Sequence, residues 1–383
     1  MKIVNKKRIS FFLISLYGGG GEKVVLDLAK GFVDDGFEVD LLLFSRKGSL
    51  ESYIDKRINI IDLNVSRIFF SLFPIIKYIR KEKPVAILGT SEHANIVLIL
   101  AKVFSFTQTK VLVRVGMTFS DLFKNYNKKR DKLIPFLIKM LYPYSDKIIA
   151  NSQNVARDIK KVSKISQNKI QVIYNSKFIS EIIKKSKEGD WFFDKNKKTI
   201  LAVGRLEIQK DFKTLIEAFD LVQKEINSQL IVLGDGGQRE YLEKIVEEKG
   251  LLDKVFLADF TQNPYFYMKN SDVLVSTSLW EGFSNVLVEA GILGLPIIAT
   301  DCGSGTRELL APNTDLDNQL EKGNIEYVEY GVLVAKQDKE NTAKAIINIL
   351  QNEGISKKYS EKIKQRTSIF EAGNIIKEYK KLF

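Results

Sequence analysis

One cysteine, Cys302, and one histidine, His93, are all that 383 residues hold of those two types. A lone cysteine closes no internal disulfide, and with a lone histidine it completes no Cys/His zinc site. Disulfide scaffolds and zinc modules are therefore excluded, and a reducing, cytosolic setting is expected. No apolar run approaches the 18 or so residues that span a bilayer. Disorder and collagen are excluded by a composition that is 45% hydrophobic and 28% charged. Basic Lys2, Lys6, Lys7 and Arg8 followed by apolar Ile9 to Tyr17 imitate a secretory signal. No small-x-small cleavage site follows, and the run feeds a glycine cluster, so a first buried β-strand is expected there.

The length suits two domains with ordinary cores. Short β-branched and apolar runs alternate with helical periodicity, which predicts parallel sheets covered by helices. The first series of strands is Ile9–Leu16, Glu38–Phe44, Val85–Gly89, Lys110–Val115, Lys147–Ala150 and Ile170–Tyr174. The second is Thr199–Val203, Gln229–Leu233, Val255–Leu257, Val273–Ser276, Pro296–Ala299 and Gly331–Val334. The polar stretch 176–198 between them marks the interdomain connection. The expected division is a first Rossmann-like domain over 1–190, a second over 191–367, and a last helix over 368–383 packing back on the first. Open α/β sheets bind ligands at the carboxyl ends of their strands, so a cleft is expected where the two sheets face each other.

Charge is unevenly spread. Residues 1–190 hold 34 Lys and Arg against 18 Asp and Glu, whereas 191–383 hold 25 against 29. The basic half suits an anionic partner, membrane lipid or nucleic acid, unless the lysines are merely solvated. Aromatics stand beside basic clusters in Arg67 to Lys83 and in Asp121 to Lys147, as at an anionic membrane surface. No nucleic-acid recognition signature is present, and no nucleic-acid partner is expected.

Five turns could carry chemistry. Gly18 to Gly21 follow the first strand and precede a helix, where close backbone approach and free N–H groups suit a phosphate or simply a tight turn. Val203 ends a strand, and Arg205 and Lys210 lie in the loop to a helix beginning near Phe212. A planar fork and a point charge there suit a diphosphate. Gly234, Asp235, Gly236 and Gly237 form another sharp turn, in which Asp235 orients the backbone or the glycines admit a flat ring. Glu281, Gly282, Phe283, Ser284 and Asn285 precede a helix containing Glu289, with Ser284 or Asn285 as its cap. One acid could hold sugar hydroxyls and the other a ribose, with phosphate at the helix amides. His93, after the strand Val85–Gly89, could bond a sugar hydroxyl or orient the acceptor, or simply cap the turn or lie on the surface, and Glu92 is a competing candidate at the same turn. Asp315-Leu316-Asp317 matches a metal-binding D-x-D pattern, but lies in a polar run and reads as a solvated insertion.

Taken together, Gly19-Gly20-Gly21-Glu22, Asn151-Ser152, Gly204-Arg205-Leu206 with Lys210, Gly234-Asp235-Gly236, and the Glu-x7-Glu from Glu281 to Glu289 resemble the family 4 retaining glycosyltransferases over nearly the whole chain. Cys302-Gly303-Ser304-Gly305-Thr306-Arg307-Glu308 is similar to the branch that extends bacterial surface glycans, which commonly has proline at the Thr306 position. The resemblance implies a GT-B fold, with acceptor on the first domain and nucleotide-sugar on the second. It implies catalytic roles for Glu281, Arg205 and Lys210, to which placement at a strand end adds His93. Arg205, Lys210, Gly19, Gly20, Ser284 and Asn285 would hold the donor diphosphate, Glu281, Gly282 and Phe283 the donor sugar, and Glu289, Gly234 and Gly236 the nucleoside. It further implies a UDP-sugar donor of hexose or N-acetylhexosamine, no metal and no cofactor, a polyprenyl-diphosphate-linked glycan acceptor, and a peripheral place at the inner leaflet of the cytoplasmic membrane. The alternative is a non-catalytic carbohydrate-binding or partner subunit that kept the fold.

Overall fold

A computed structural model describes residues 7–17, 20–124, 133–163, 165–303 and 305–383. The chain divides into two α/β units, one of Met1–Lys177 with Phe370–Phe383 and one of Phe178–Ile369. In the first, β1 (Arg8–Leu13), β2 (Glu38–Leu43), β3 (Asn59–Asp62), β4 (Ala86–Thr90), β5 (Lys110–Val115), β6 (Lys147–Ala150) and β7 (Ile170–Val172) form one sheet. Their order is β3-β2-β1-β4-β5-β6-β7, every pair parallel. The strands read as apolar runs because both faces are covered. Phe12, Ile87, Val113 and Ile148 pack on one side, and Phe11, Leu88, Leu112 and Ile149 on the other.

Helix Gly20–Asp34 and the returning helix Ala372–Lys380 cover that second face, which takes up Ile375, Ile376 and Tyr379. Phe32 meets Tyr379 edge-on, with ring centroids 6.4 Å apart. The last helix therefore begins after a 3-10 turn, Ser368–Phe370, rather than at 368.

The second unit repeats the scheme. Strands β8 (Lys198–Val203), β9 (Ser228–Leu233), β10 (Val255–Ala258), β11 (Val273–Ser276), β12 (Ile297–Thr300), β13 (Ile325–Val328) and β14 (Gly331–Val334) take the order β10-β9-β8-β11-β12-β14-β13. Only β13 runs antiparallel, paired to β14. The sequence reading lacks β3 and β13, which are edge strands of four residues whose positions are half-buried or exposed, so neither shows an apolar run.

The boundary also moves. The sequence places it at 190/191; the chain leaves the first unit after Lys177, whose N–H donates to the Phe370 carbonyl at 2.8 Å and whose carbonyl accepts from Ala372 at 2.9 Å. The polar residues from Lys184 to Asp190 close helix Ile179–Lys185 and the loop beyond it, both inside the second unit. There the Asn263 carboxamide donates to the carbonyls of Lys185 and Glu188, at 2.9 and 2.7 Å.

Strand order fixes where each unit can hold a ligand. Connections run to opposite sides from β1 and β4 in the first sheet, and from β8 and β11 in the second. The crevice of a doubly wound sheet lies at such a reversal, outside the carboxyl ends. In the second unit the strands part early: β8 and β11 pair only through Ile200–Val273 and Leu201–Leu274. Two loops, 204–211 and 277–284, line the gap beyond.

Candidate active site

The apolar run of β8 ends at Val203, and Gly204 lets the chain turn tightly under a long side chain. A methyl on Gly204 would lie 3.1 Å from the Lys210 Cε. A 3-10 turn, Ile208–Lys210, follows, and Asp211, at φ +45°, starts helix Phe212–Val222, its carboxylate accepting from the Thr214 hydroxyl at 2.7 Å. This short path returns Lys210 to the carboxyl edge of the sheet.

The facing loop is stitched to it. The Thr277 hydroxyl donates to the Lys210 and Asp211 carbonyls, each at 2.9 Å. The Leu279 N–H donates to the Gln209 carbonyl at 2.8 Å, and the Gln209 carboxamide to the Trp280 carbonyl at 2.7 Å. These bonds bring the Lys210 ammonium onto the Glu281 carboxylate as an ion pair, which also accepts from the Ser278 hydroxyl at 3.1 Å. Both side chains are largely but not wholly covered, at 17% and 13% exposure. Arg205, one turn earlier, is exposed and makes no ion pair among the described residues. A paired cation and its carboxylate thus meet at the sheet edge, and a further cation, Arg205, stands exposed in the same strand-end loop as Lys210.

The glycine turn after β9 supports that floor. A Cβ on Gly234, φ +154°, would sit 1.9 Å from the Gly204 carbonyl oxygen, and one on Gly236, φ +159°, would sit 2.6 Å from that of Leu206. Close approach lets the Leu206 N–H reach the Asp235 carbonyl at 2.9 Å, and the Gln238 N–H the Leu206 carbonyl at 2.8 Å. The Asp235 carboxylate takes a bond from Arg239 at 3.2 Å, and that bond first, then one from the Gly236 N–H, hold it below the usual carboxylate range. Both glycines therefore face the Arg205 loop itself.

Ser284 precedes helix Asn285–Leu293 at the cap position, with extended backbone and no side-chain cap bond. Gly282, Phe283 and Ser284 are buried. Gly305, first residue of helix Gly305–Leu310, presses on them: its N–H donates to the Gly282 carbonyl at 2.9 Å, and a Cβ there would lie 2.3 Å from the Phe283 ring. Glu289 lies in the second turn of the helix and is buried. The segment from Cys302 is anchored by Arg307, 2% exposed, which grips Asp301 at 2.5 Å and Glu326 at 3.0 Å. Sequence reasoning missed Ser278, Thr277 and Gln209, whose contribution is long-range bonding that no local pattern encodes. Asp315 lies in an exposed turn, accepting from the Asp317 N–H at 2.9 Å.

The remaining candidates lie on the first unit. Gly20 opens helix Gly20–Asp34, and Gly19 lies outside the described residues. Glu92 and His93 are half-buried in the first turn of helix Glu92–Ser105, at the end of β4. Burial pushes the Glu92 carboxyl above its ordinary range. Before it Ser91 adopts φ 146°, ψ 152°, a region almost reserved for glycine.

Residues 183–366 match the family model described as glycosyl transferases group 1, and residues 18–176 match glycosyltransferase family 4. A Campylobacter jejuni protein, N-acetylgalactosamine-N,N'-diacetylbacillosaminyl-diphospho-undecaprenol 4-alpha-N-acetylgalactosaminyltransferase, is 28% identical over 97% of this chain and 98% of its own. The amylovoran biosynthesis glycosyltransferase AmsD of Erwinia amylovora is 26% identical over 76% of this chain and 80% of its own. Among solved structures, Anabaena HepE in complex with UDP superposes with a TM-score of 0.76 at 19% identity, covering 98% of both chains.

Proposed function

The chain belongs to the family 4 glycosyltransferases with the GT-B fold, and on that premise we propose that it moves a hexose or N-acetylhexosamine from a UDP-sugar to a growing, polyprenyl-diphosphate-linked bacterial surface glycan, with retention of anomeric configuration. The observation that carries this reading is the Lys210–Glu281 pair at the reversal point of the second sheet, with Arg205 in the same loop as Lys210. HepE, solved with UDP, supports the donor. The acceptor named for the C. jejuni relative supports the lipid-linked substrate.

In this reading the anomeric C–O bond breaks heterolytically and its electron pair goes to the departing diphosphate oxygen. Arg205 and Lys210 neutralise that charge as it grows, so they bind the transition state more strongly than the ground state. In this reading the two cations take the part a metal would otherwise play. Glu281 holds the donor hydroxyls, and Ser278 and Lys210 hold Glu281. The amides of Phe283, Ser284 and Asn285 meet sugar and phosphate, and Glu289 sits beside the ribose. The acceptor oxygen bonds to the same face of the sugar, and its proton passes to the departing phosphate oxygen. His93 or Glu92 would orient the acceptor hydroxyl. A lipid-linked acceptor places the enzyme at the inner leaflet, with its basic half toward anionic lipid.

A thermal-shift panel of nucleotide-sugars in EDTA tests the reading. A donor at 100 times its Kd should stabilise by about 2.7 kcal/mol. No shift with any UDP-sugar, or a shift that appears only when a divalent metal is restored, would count against it. Donor binding without transfer would point to the sugar-binding subunit instead.

A further inference from the structure

Strand β5 carries a charge into the interior of the first unit. Arg114 lies one residue before its end, is 3% exposed and makes no ion pair among the described residues. A guanidinium keeps its proton in any protein environment, and a buried charge is ordinarily paired with one of opposite sign. Arg114 has neutral partners instead. Its two terminal nitrogens donate to the Thr90 hydroxyl at 3.2 Å, at the end of β4, and to the Asn175 side-chain carbonyl at 2.5 Å, beyond β7. The third partner is the Tyr379 hydroxyl of the returning helix, which burial pushes up to about 12, so that it stays a neutral phenol.

The polar groups beside that charge are left unfinished. Ser176, next to Asn175 in the chain, is fully buried, and its hydroxyl has no hydrogen-bond partner among the described residues. Asn151, 2% exposed beyond β6, donates to the Gly116 carbonyl at 3.0 Å, and its own carbonyl oxygen is unpartnered. So is the buried hydroxyl of Ser91, next to Thr90. A buried polar atom without a partner costs stability, and three of them beside one uncompensated cation need a reason. Gly116 supplies it. Its backbone has no left-handed φ that would demand glycine, yet a Cβ there would lie 3.3 Å from the Arg114 Nη1. Gly116 is exposed, so the missing side chain opens a window from solvent onto the guanidinium.

We infer that the carboxyl edge of the first sheet holds an oxyanion site reached past Gly116, in which Arg114 binds a carboxylate or phosphate, the Ser176 and Ser91 hydroxyls donate to it, and the Asn151 carbonyl oxygen accepts from a hydroxyl of the same ligand. The ligand supplies the counter-charge that the fold withholds, and a planar fork suits two oxygens of either group. Its class is a hydroxylated oxyanion, a sugar acid or a sugar phosphate. That this group belongs to the glycan acceptor rests on the proposed function; the site itself rests on the guanidinium and its window.

The full chain is titrated calorimetrically with glucuronate, glucose 1-phosphate and glucose at constant ionic strength. Wild type should bind one or both anions and not glucose; binding of glucuronate alone identifies a carboxylate ligand, and of glucose 1-phosphate alone a phosphate. Arg114→Gln removes the charged donor, and Gly116→Val closes the window while keeping the charge; each should weaken anion binding about tenfold or more. Should Arg114→Gln fail to fold, Gly116→Val carries the test. Lys210→Met should bind the anions as wild type does, whereas UDP affinity, measured on every variant, should fall in Lys210→Met alone. Anion binding retained in Gly116→Val and lost in Lys210→Met would put the anion on the second unit and overturn the inference, leaving the donor reading intact. Glucose binding as well as the anions, or no binding of any of the three, would overturn it too. Wild type that binds an anion but no UDP would count against the donor reading alone.

Discussion

The Lys210–Glu281 pair makes two opposite demands on UDP binding, and separating them tests the site. In the unliganded protein each side chain satisfies the other, at 17% and 13% exposure. Breaking it should cost more than a surface pair and less than a fully buried one, about 1–3 kcal/mol of stability. Lys210→Met removes a charged donor from the diphosphate, a contact worth roughly 1.5–3 kcal/mol, so UDP should bind about 10- to 150-fold more weakly. Glu281→Gln has a different effect. UDP carries no sugar for Glu281 to hold, and losing the carboxylate frees the ammonium from its internal competitor. UDP affinity should therefore be unchanged or tighter, while sugar transfer collapses. Titration calorimetry with UDP on wild type, both single variants and the double variant completes a cycle. Lys210→Met binding UDP as wild type does, or Glu281→Gln losing as much affinity as Lys210→Met, would refute the assignment of charge to diphosphate and acid to sugar.

Further outcomes follow from backbone and burial. Gly234→Ala forces a methyl to within 1.9 Å of the Gly204 carbonyl oxygen; separating the turns should cost roughly 2–4 kcal/mol in denaturant unfolding and weaken UDP binding, since the Arg205 loop moves with it. Ser91→Gly relieves a strain of about 1–3 kcal/mol at the cost of about 0.5–1 in chain entropy, so the melting temperature should rise by a few degrees; a fall would show that the side chain, not the backbone, matters there. The Glu92 carboxyl is raised by burial above its ordinary 4.5. The folded state therefore holds this proton more tightly than the unfolded state, and the stability it contributes is present below pH 4.5 and lost as pH rises through the folded value. Glu92→Gln should stabilise the protein at neutral pH and flatten that part of the pH–stability curve, and an unchanged curve would contradict the burial argument.

The sequence alone determined the elements whose physics is local. Apolar runs buried on both faces had to be interior parallel strands, and Gly204 and Gly234 directly after such runs had to turn at a carboxyl edge. Arg205, Lys210 and Glu281 therefore fall in strand-end loops on the sequence pattern alone. Edge strands β3 and β13 escaped because half-exposed strands need no apolar run. Only the tertiary structure could decide what depends on residues far apart along the chain. Lys210 meets Glu281 across 71 residues because β8 lies next to β11. The domain boundary falls at Lys177 because the returning segment bonds to it. Arg80 reaches the Phe104 carbonyl, 24 residues on, because helix Glu92–Ser105 packs beside helix Leu72–Glu82. Hydrophobic periodicity says which side of an element is buried, but the partner across the gap is set by strand order, and strand order is a property of the folded chain.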